Sequence, residues 1–234
     1  MVVDAYNMML RRRLSNNNRV YHTLLTYIDL SIEEPEGFMK SVRTLAEELH
    51  KGIIVQVINA DNIAGLEHLL EVLAQSLEAE RRSCLLAKRV EVDMLLRLAC
   101  TRQISDAIES VGLKKGRSKA VLVVVIHEGD GYDSDMEGDG KGGREDGERD
   151  VERMDYYNNM LMRFKDRLKA MDGVIRMYDD DGVGVGVGGE EYVYKHMYER
   201  LTSIHGLSEQ ELASCISSNR LVSILAERAN LLHR

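Results

Sequence analysis

Cysteine, proline, tryptophan and long apolar runs are all scarce in this chain, and each scarcity excludes something. The three cysteines, Cys84, Cys100 and Cys215, are far apart and odd in number, with no C-x-x-C pair. That pattern supports neither a disulfide framework nor a zinc knuckle, and the thiols read as reduced core side chains. No apolar run approaches the roughly 18 residues of a membrane span. The basic cluster Arg11-Arg12-Arg13 follows the first apolar stretch, the reverse of a secretory signal, so the expectation is an intracellular, cytoplasmic chain with no membrane partner. The signatures of hydrolytic and redox chemistry are missing too: no H-E-x-x-H, no G-x-S-x-G and no P-loop lysine. The seven histidines are scattered, and His68 in "GLEHLLE" and His196 in "YKHMYERL" read as structural or solvated. No catalytic residue, cofactor or metal is expected.

What is present is ample core material: 44% of 234 residues are hydrophobic, enough for one large domain. The formal net charge of −8 is unevenly placed. Residues 128 to 150 hold ten acids and three bases, a local −7, so the other 211 residues carry about −1 and can still present a basic patch. With seven glycines and almost no apolar side chain, that tract has little to set against its ordering entropy and reads as a disordered acidic insertion. Residues 1 to 20 carry no trustworthy period and read as a poorly ordered arm. Residues 21 to 234 then form a single domain, interrupted by the insertion at 128 to 150.

Strands and helices alternate along that domain. "TLLTYIDLSI" (23 to 32) reads as a strand, and Pro35 opens a helix whose stripe is Phe38, Val42, Leu45 and Leu49. "GIIVQVI" (52 to 58) reads as a strand covered on both faces. Asp61 is a plausible N-cap for a second helix with stripe Ile63, Leu66, Leu70, Leu73 and Leu77. Two short helices, 90 to 100 and 102 to 112, precede the strand "KAVLVVVI" (119 to 126), and Gly112 sits at a C′-like position. Beyond the insertion, Met154, Tyr157, Leu161, Phe164, Leu168 and Met171 mark a long amphipathic helix, "GVIRMY" (173 to 178) a strand, and three helices close the chain. The expected fold is α/β: a mixed β-sheet flanked by helices on both faces.

Two tempting motifs fail on their surroundings. Asp133, Asp135, Glu137 and Gly138 fit the first positions of an EF-hand loop, but Arg144 stands where the bidentate Glu is required. Gly184, Gly186 and Gly189 give G-x-G-x-x-G between a strand and a helix, yet Asp179, Asp180, Asp181, Glu190 and Glu191 would confront a pyrophosphate with five carboxylates. A disordered tract and a flexible turn are the better readings.

The stretch "LLRLACTRQISDAIESVGLKKG" (95 to 116) carries the remaining signal. Thr101 can cap a helix beginning at Arg102, leaving first-turn amides pointing outward as an anion site. An Arg in that turn opposes the helix dipole at a cost of roughly a few tenths of a kcal/mol unless an anion or carboxylate answers it. One turn back, Asp93 and Arg97 stand i, i+4, where the Asp can hold the Arg. Two arginines, Gln103 and a helix N-terminus converge on one patch; the plainer alternative is a solvated surface with one ion pair.

The segment "EVDMLLRLACTRQISDAIESVG" resembles the kinase-binding subunit of the KEOPS/EKC complex, the PRPK-binding-protein family. The matching positions are Asp93, Leu95, Arg97, Arg102-Gln103-Ile104, Ala107-Ile108 and Gly112. "QVINADNIAGLEHLLEVLAQSL" is similar to the family's Q-x-x-N-A-D segment and following helix, and "VLVVVIHEGD" to its strand ending in acids. The resemblance covers residues 23 to 127 well and 151 to 232 loosely. It implies a non-catalytic subunit that binds the small lobe of the complex's atypical kinase/ATPase. Archaeal members also grip the single-stranded CCA end of tRNA, and the R-Q-I triplet makes this chain archaeal-like. The complex, with its other subunits, installs threonylcarbamoyladenosine beside the anticodon.

On that resemblance Arg97 and Arg102 would contact phosphate and Gln103 a base edge, with Thr101 and Asn59 completing the tRNA site. The kinase surface is placed on the last helix, "NRLVSILAERANLLHR", where Leu221, Leu225, Arg228 and Leu232 form one stripe and Ile224 and Leu231 another. A terminal helix apolar on two sides needs two partners, the core and a second protein; a stripe buried wholly within the domain is the alternative. Departures from the family are the acidic insertion, the N-terminal arm, the "DDDGVGVGVGG" loop and the scarcity of aromatics for stacking. Two rival functions stand beside this one: a protein-only kinase scaffold without RNA binding, and, more remotely, a nucleotide-binding enzyme using the 182 to 189 glycine loop.

Overall fold

A computed structural model of the chain describes residues 20 to 127, 146 to 177, 208, 210 and 218 to 232. The arm over residues 1 to 19, the insertion from 128 to 145 and the 182 to 189 glycine loop lie outside the described residues. Four strands, β1 (Tyr21–Ile32), β2 (Ile53–Asn59), β3 (Gly116–His127) and β4 (Val174–Met177), form one sheet in the order β2-β3-β1-β4. Six helices are described: α1 (Pro35–Leu49), α2 (Leu66–Arg81), α3 (Val90–Leu98), α4 (Ile104–Val111), α5 (Asp146–Lys169) and α6 (Ser218–Leu231).

Every described strand pairing is antiparallel. β1 pairs with β3 from Tyr21↔His127 to Ile32↔Gly116, and β2 pairs with β3 from Ile53↔Ile126 to Asn59↔Ala120. The α/β layering is as expected, but the sheet is antiparallel where a mixed one was anticipated. β1 and β2 do run in the same direction, joined by α1, as strand-helix-strand alternation suggests. β3 inserts between them antiparallel to both, so two parallel strands never become neighbours.

β3 explains why both faces are covered. Its run from Ala120 to Ile126 is wholly buried, and because side chains alternate across a strand the run feeds two cores. Ala120, Leu122, Val124 and Ile126 face the layer of α1 and α5, packing with Val42, Phe38, Tyr157 and Phe164. Val121, Val123 and Val125 face the layer of α2, α3, α4 and α6, packing with Leu69, Leu73, Met94 and Ala229. Each buried Leu or Phe side chain in these layers contributes roughly 1.5–3 kcal/mol through lost water contact.

Helix starts differ from the sequence reading where side chains cap turns instead. Asp61 begins no helix: the Asn59 side chain accepts its N–H at 3.0 Å inside a 3-10 turn over Ala60–Asn62, and α2 starts at Leu66. α5 starts at Asp146, inside the tract assigned to the insertion. At the end of α4, Gly112 is needed for space: its φ is −72°, and an added Cβ would collide with the Ile108 carbonyl.

Candidate functional site

The break between α3 and α4 is a C-terminal cap followed by a turn. The Cys100 N–H donates to the Arg97 carbonyl at 3.1 Å and the Thr101 N–H to the Leu96 carbonyl at 3.0 Å. Cys100 takes a left-handed φ of 49°. This is the paired 5→2 and 6→1 bonding of a Schellman motif, built on cysteine instead of glycine. The Thr101 hydroxyl then accepts the Gln103 N–H at 3.2 Å. α4 therefore starts at Ile104 with Gln103 as its N-cap, two residues later than the capping reading placed it. Thr101 tightens the turn and leaves the first-turn amides of α4 without a side-chain cap.

Beneath the turn lies a buried ion pair. Asp93 is fully buried and accepts the Leu86 N–H at 2.7 Å and Arg97 Nε at 2.5 Å. Arg97 is 1% exposed, and its Nη1 donates to the Ala229 carbonyl of α6 at 3.4 Å. The expected i, i+4 pairing is present, but it sits inside the molecule, and α6 roofs the guanidinium. Arg97 is a core residue here and presents no cation at the surface.

Arg102 is exposed. Its Nε donates to the Leu232 carbonyl at 2.8 Å, and its Nη2 donates to the same oxygen. Gln103 is also exposed and Thr101 is half-buried. Next to them on α4, Ile104 and Ile108 are each 50% exposed. The structure thus gathers Thr101, Arg102, Gln103 and Ile104 on one surface. Asn59 stands apart: it is buried, and its turn is tied to the far end of α4 by the Asn62 side chain donating to the Ser110 carbonyl.

The exposed isoleucine pair was hidden by its own periodicity. Ile104, Ala107, Ile108 and Val111 have the spacing of a core stripe, but only Ala107 and Val111 are buried. The loop from Arg81 to Arg89 was also overlooked, and its cations are largely matched: Glu78 holds Arg81 and Arg82, and Glu91 holds Arg89. Hydrogen bonds from Arg81 and then Arg82 draw the Glu78 carboxyl down to about 2. Cys84 and Cys100 are free thiols, and burial pushes Cys100 up to about 11, against a smaller lowering influence of Arg228.

On α6 the two stripes separate. Leu221, Val222, Leu225 and Ala229 are buried against α2 and α3, so Leu221 and Leu225 face the core and not a partner. Ile224, Arg228 and Leu232 are half-buried and Leu231 is 52% exposed. Among the described residues no cluster of three or more potential metal ligands occurs, and no helix is long and apolar enough to cross a membrane. The EF-hand-like residues lie outside the described part.

Residues 39–154 match the family described as kinase binding protein CGI-121. The chain belongs to that family. Membership of CGI-121 brings a kinase partner with it, since kinase binding is what defines the family. The matched segment runs from α1 into α5 and contains the α3–α4 break, whereas α6 and the residue after it, whose Ala229 and Leu232 carbonyls Arg97 and Arg102 hold, lie outside it. No curated protein matches this CGI-121 chain.

Proposed function

We propose that this protein is a non-catalytic, cytoplasmic subunit of the KEOPS complex that binds the complex's atypical kinase/ATPase and the 3′ CCA end of tRNA, supporting threonylcarbamoyladenosine formation. The observation that carries the RNA half is the exposed run Arg102-Gln103-Ile104, beside the half-buried Thr101, within the family-matched segment. It offers a guanidinium for phosphate, a side-chain amide for a base edge, uncapped helix amides and an apolar surface against which an unstacked base can lie. Arg97 serves this patch from below, by fixing the turn and α6, and Asn59 takes no direct part. The kinase surface is the outer stripe of α6, Ile224, Arg228, Leu231 and Leu232, because Leu221 and Leu225 are spent on the core.

Electrophoretic binding of a tRNA transcript, intact and lacking CCA, to wild type and Arg102→Glu at one stated salt concentration tests this. Loss of affinity in both altered cases, by on the order of tenfold for the charge reversal, is expected. Equal affinity for the intact and trimmed transcripts would remove the tail from the patch. The engagement of Arg102 with the Leu232 carbonyl favours the rival, a protein-only kinase scaffold, and failure of either RNA to bind would select it.

A further inference from the structure

The C-terminal half of α6 hangs from three side chains. The carbonyls of Ala226 and Ala229 on the helix and of Leu232 just past its end, three residues apart in sequence, accept from Gln75 Nε2 at 3.0 Å, Arg97 Nη1 at 3.4 Å and Arg102 Nε at 2.8 Å. The first two donors are fixed in place. Gln75 projects from the middle of α2, and Arg97 is sealed in by Asp93. The third is not. Arg102 is exposed, lies on a connecting turn and spends its Nε and Nη2 on one neutral oxygen. A phosphate carries full negative charge and offers two oxygens to the same planar fork, so it is the stronger acceptor.

We infer that Arg102 exchanges the Leu232 carbonyl for an incoming phosphate, so that RNA arriving at the 101 to 104 surface unfastens the last turn of α6. This rests on the RNA-binding reading above and adds to it a link between two surfaces. The body of α6 stays in place, held by Leu221, Val222, Leu225, Ala229 and the Gln75 and Arg97 bonds. What is freed is the segment bearing Leu231 and Leu232, the end of the stripe assigned to the kinase. Linkage is reciprocal: a partner that takes the freed turn strengthens RNA binding by the factor with which RNA strengthens that partner, and one that needs the fastened turn opposes RNA equally.

Hydrogen–deuterium exchange on the full chain, with and without a tRNA transcript at fixed salt, reads the device directly. The transcript is expected to raise exchange at residues 230 to 232 by on the order of fivefold, the low end for coupled sites, with residues 221 to 226 unchanged. Arg102→Ala is expected to show the raised exchange without RNA and no further response to it, while protection of α2 and of 221 to 226 reports that the variant is folded. Retention of the transcript in a gel with unchanged exchange at 230 to 232 overturns the linkage and leaves RNA binding standing. Wild-type exchange in Arg102→Ala overturns it equally. Absence of any retention removes the RNA reading and the linkage with it.

Discussion

Asp93 and Arg97 show how one pair of charges can organise a site from inside. Both are sealed from water, which costs several kcal/mol per ion unless bonds replace it. Here they do: Asp93 accepts the Leu86 N–H as well as the arginine, and Arg97 reaches the Ala229 carbonyl, so one pair ties the loop before α3 to α3 and to α6. Asp93→Ala leaves a buried guanidinium without its anion and is expected to cost about 3–5 kcal/mol. A lowered urea midpoint with an unchanged slope would register it. Adding Arg97→Met should recover only part of the loss, because the Leu86 N–H and the Ala229 carbonyl would still lack partners. The i, i+4 spacing was legible in the sequence, since it is local. Its burial was not: the roof is α6, far along the chain, and nothing in residues 93 to 103 encodes that cover.

Two helices in succession end on a left-handed residue that is not glycine. α2 closes with Ser83 at φ 55°, its N–H on the Glu80 carbonyl and the Cys84 N–H on the Ala79 carbonyl, both at 2.9 Å. α3 closes the same way at Cys100. An L side chain in that region costs roughly 1–2 kcal/mol, part of which glycine would return against its greater freedom in the unfolded chain. Ser83 is exposed, so its side chain gives little packing for glycine to forfeit. Ser83→Gly should therefore raise stability by about 0.5–1 kcal/mol, seen as a higher urea midpoint. The sequence reading found every described helix and strand because apolar periodicity marks them. It missed these ends because the usual flag, glycine, is absent, and it misplaced the starts of α2 and α4 because Asn59 and Thr101 cap turns with the chemistry that elsewhere caps helices.

At the scale of the molecule, charge is the variable the chain holds in reserve. Residues 129 to 145 carry six acids and two bases, a net −4, inside a chain of −8. On the proposed RNA-binding function, deleting them should strengthen tRNA binding by roughly threefold at about 50 mM salt and hardly at all at about 300 mM, because the Debye length shrinks between the two. Titration of the transcript against both proteins at each salt checks this; a salt-independent difference would mean that the deletion acts on structure. Layering was legible from alternating strands and helices, whereas strand direction was not, because a crossover helix fixes the relation of β1 to β2 and says nothing of what lies between them.

That intervening strand governs the order in which the protein can be made. β1 and β2 run the same way and are separated by β3, which follows them in the chain after α2, α3 and α4. Among the described elements, a growing polypeptide therefore exposes two strands and four helices before any of these strands has a neighbour, and the sheet closes through contacts of high sequence separation. Until Gly116 to His127 has been synthesised, β1 and β2 are two open edges with apolar faces. Chains interrupted before that point are candidates for edge-to-edge aggregation and chaperone capture.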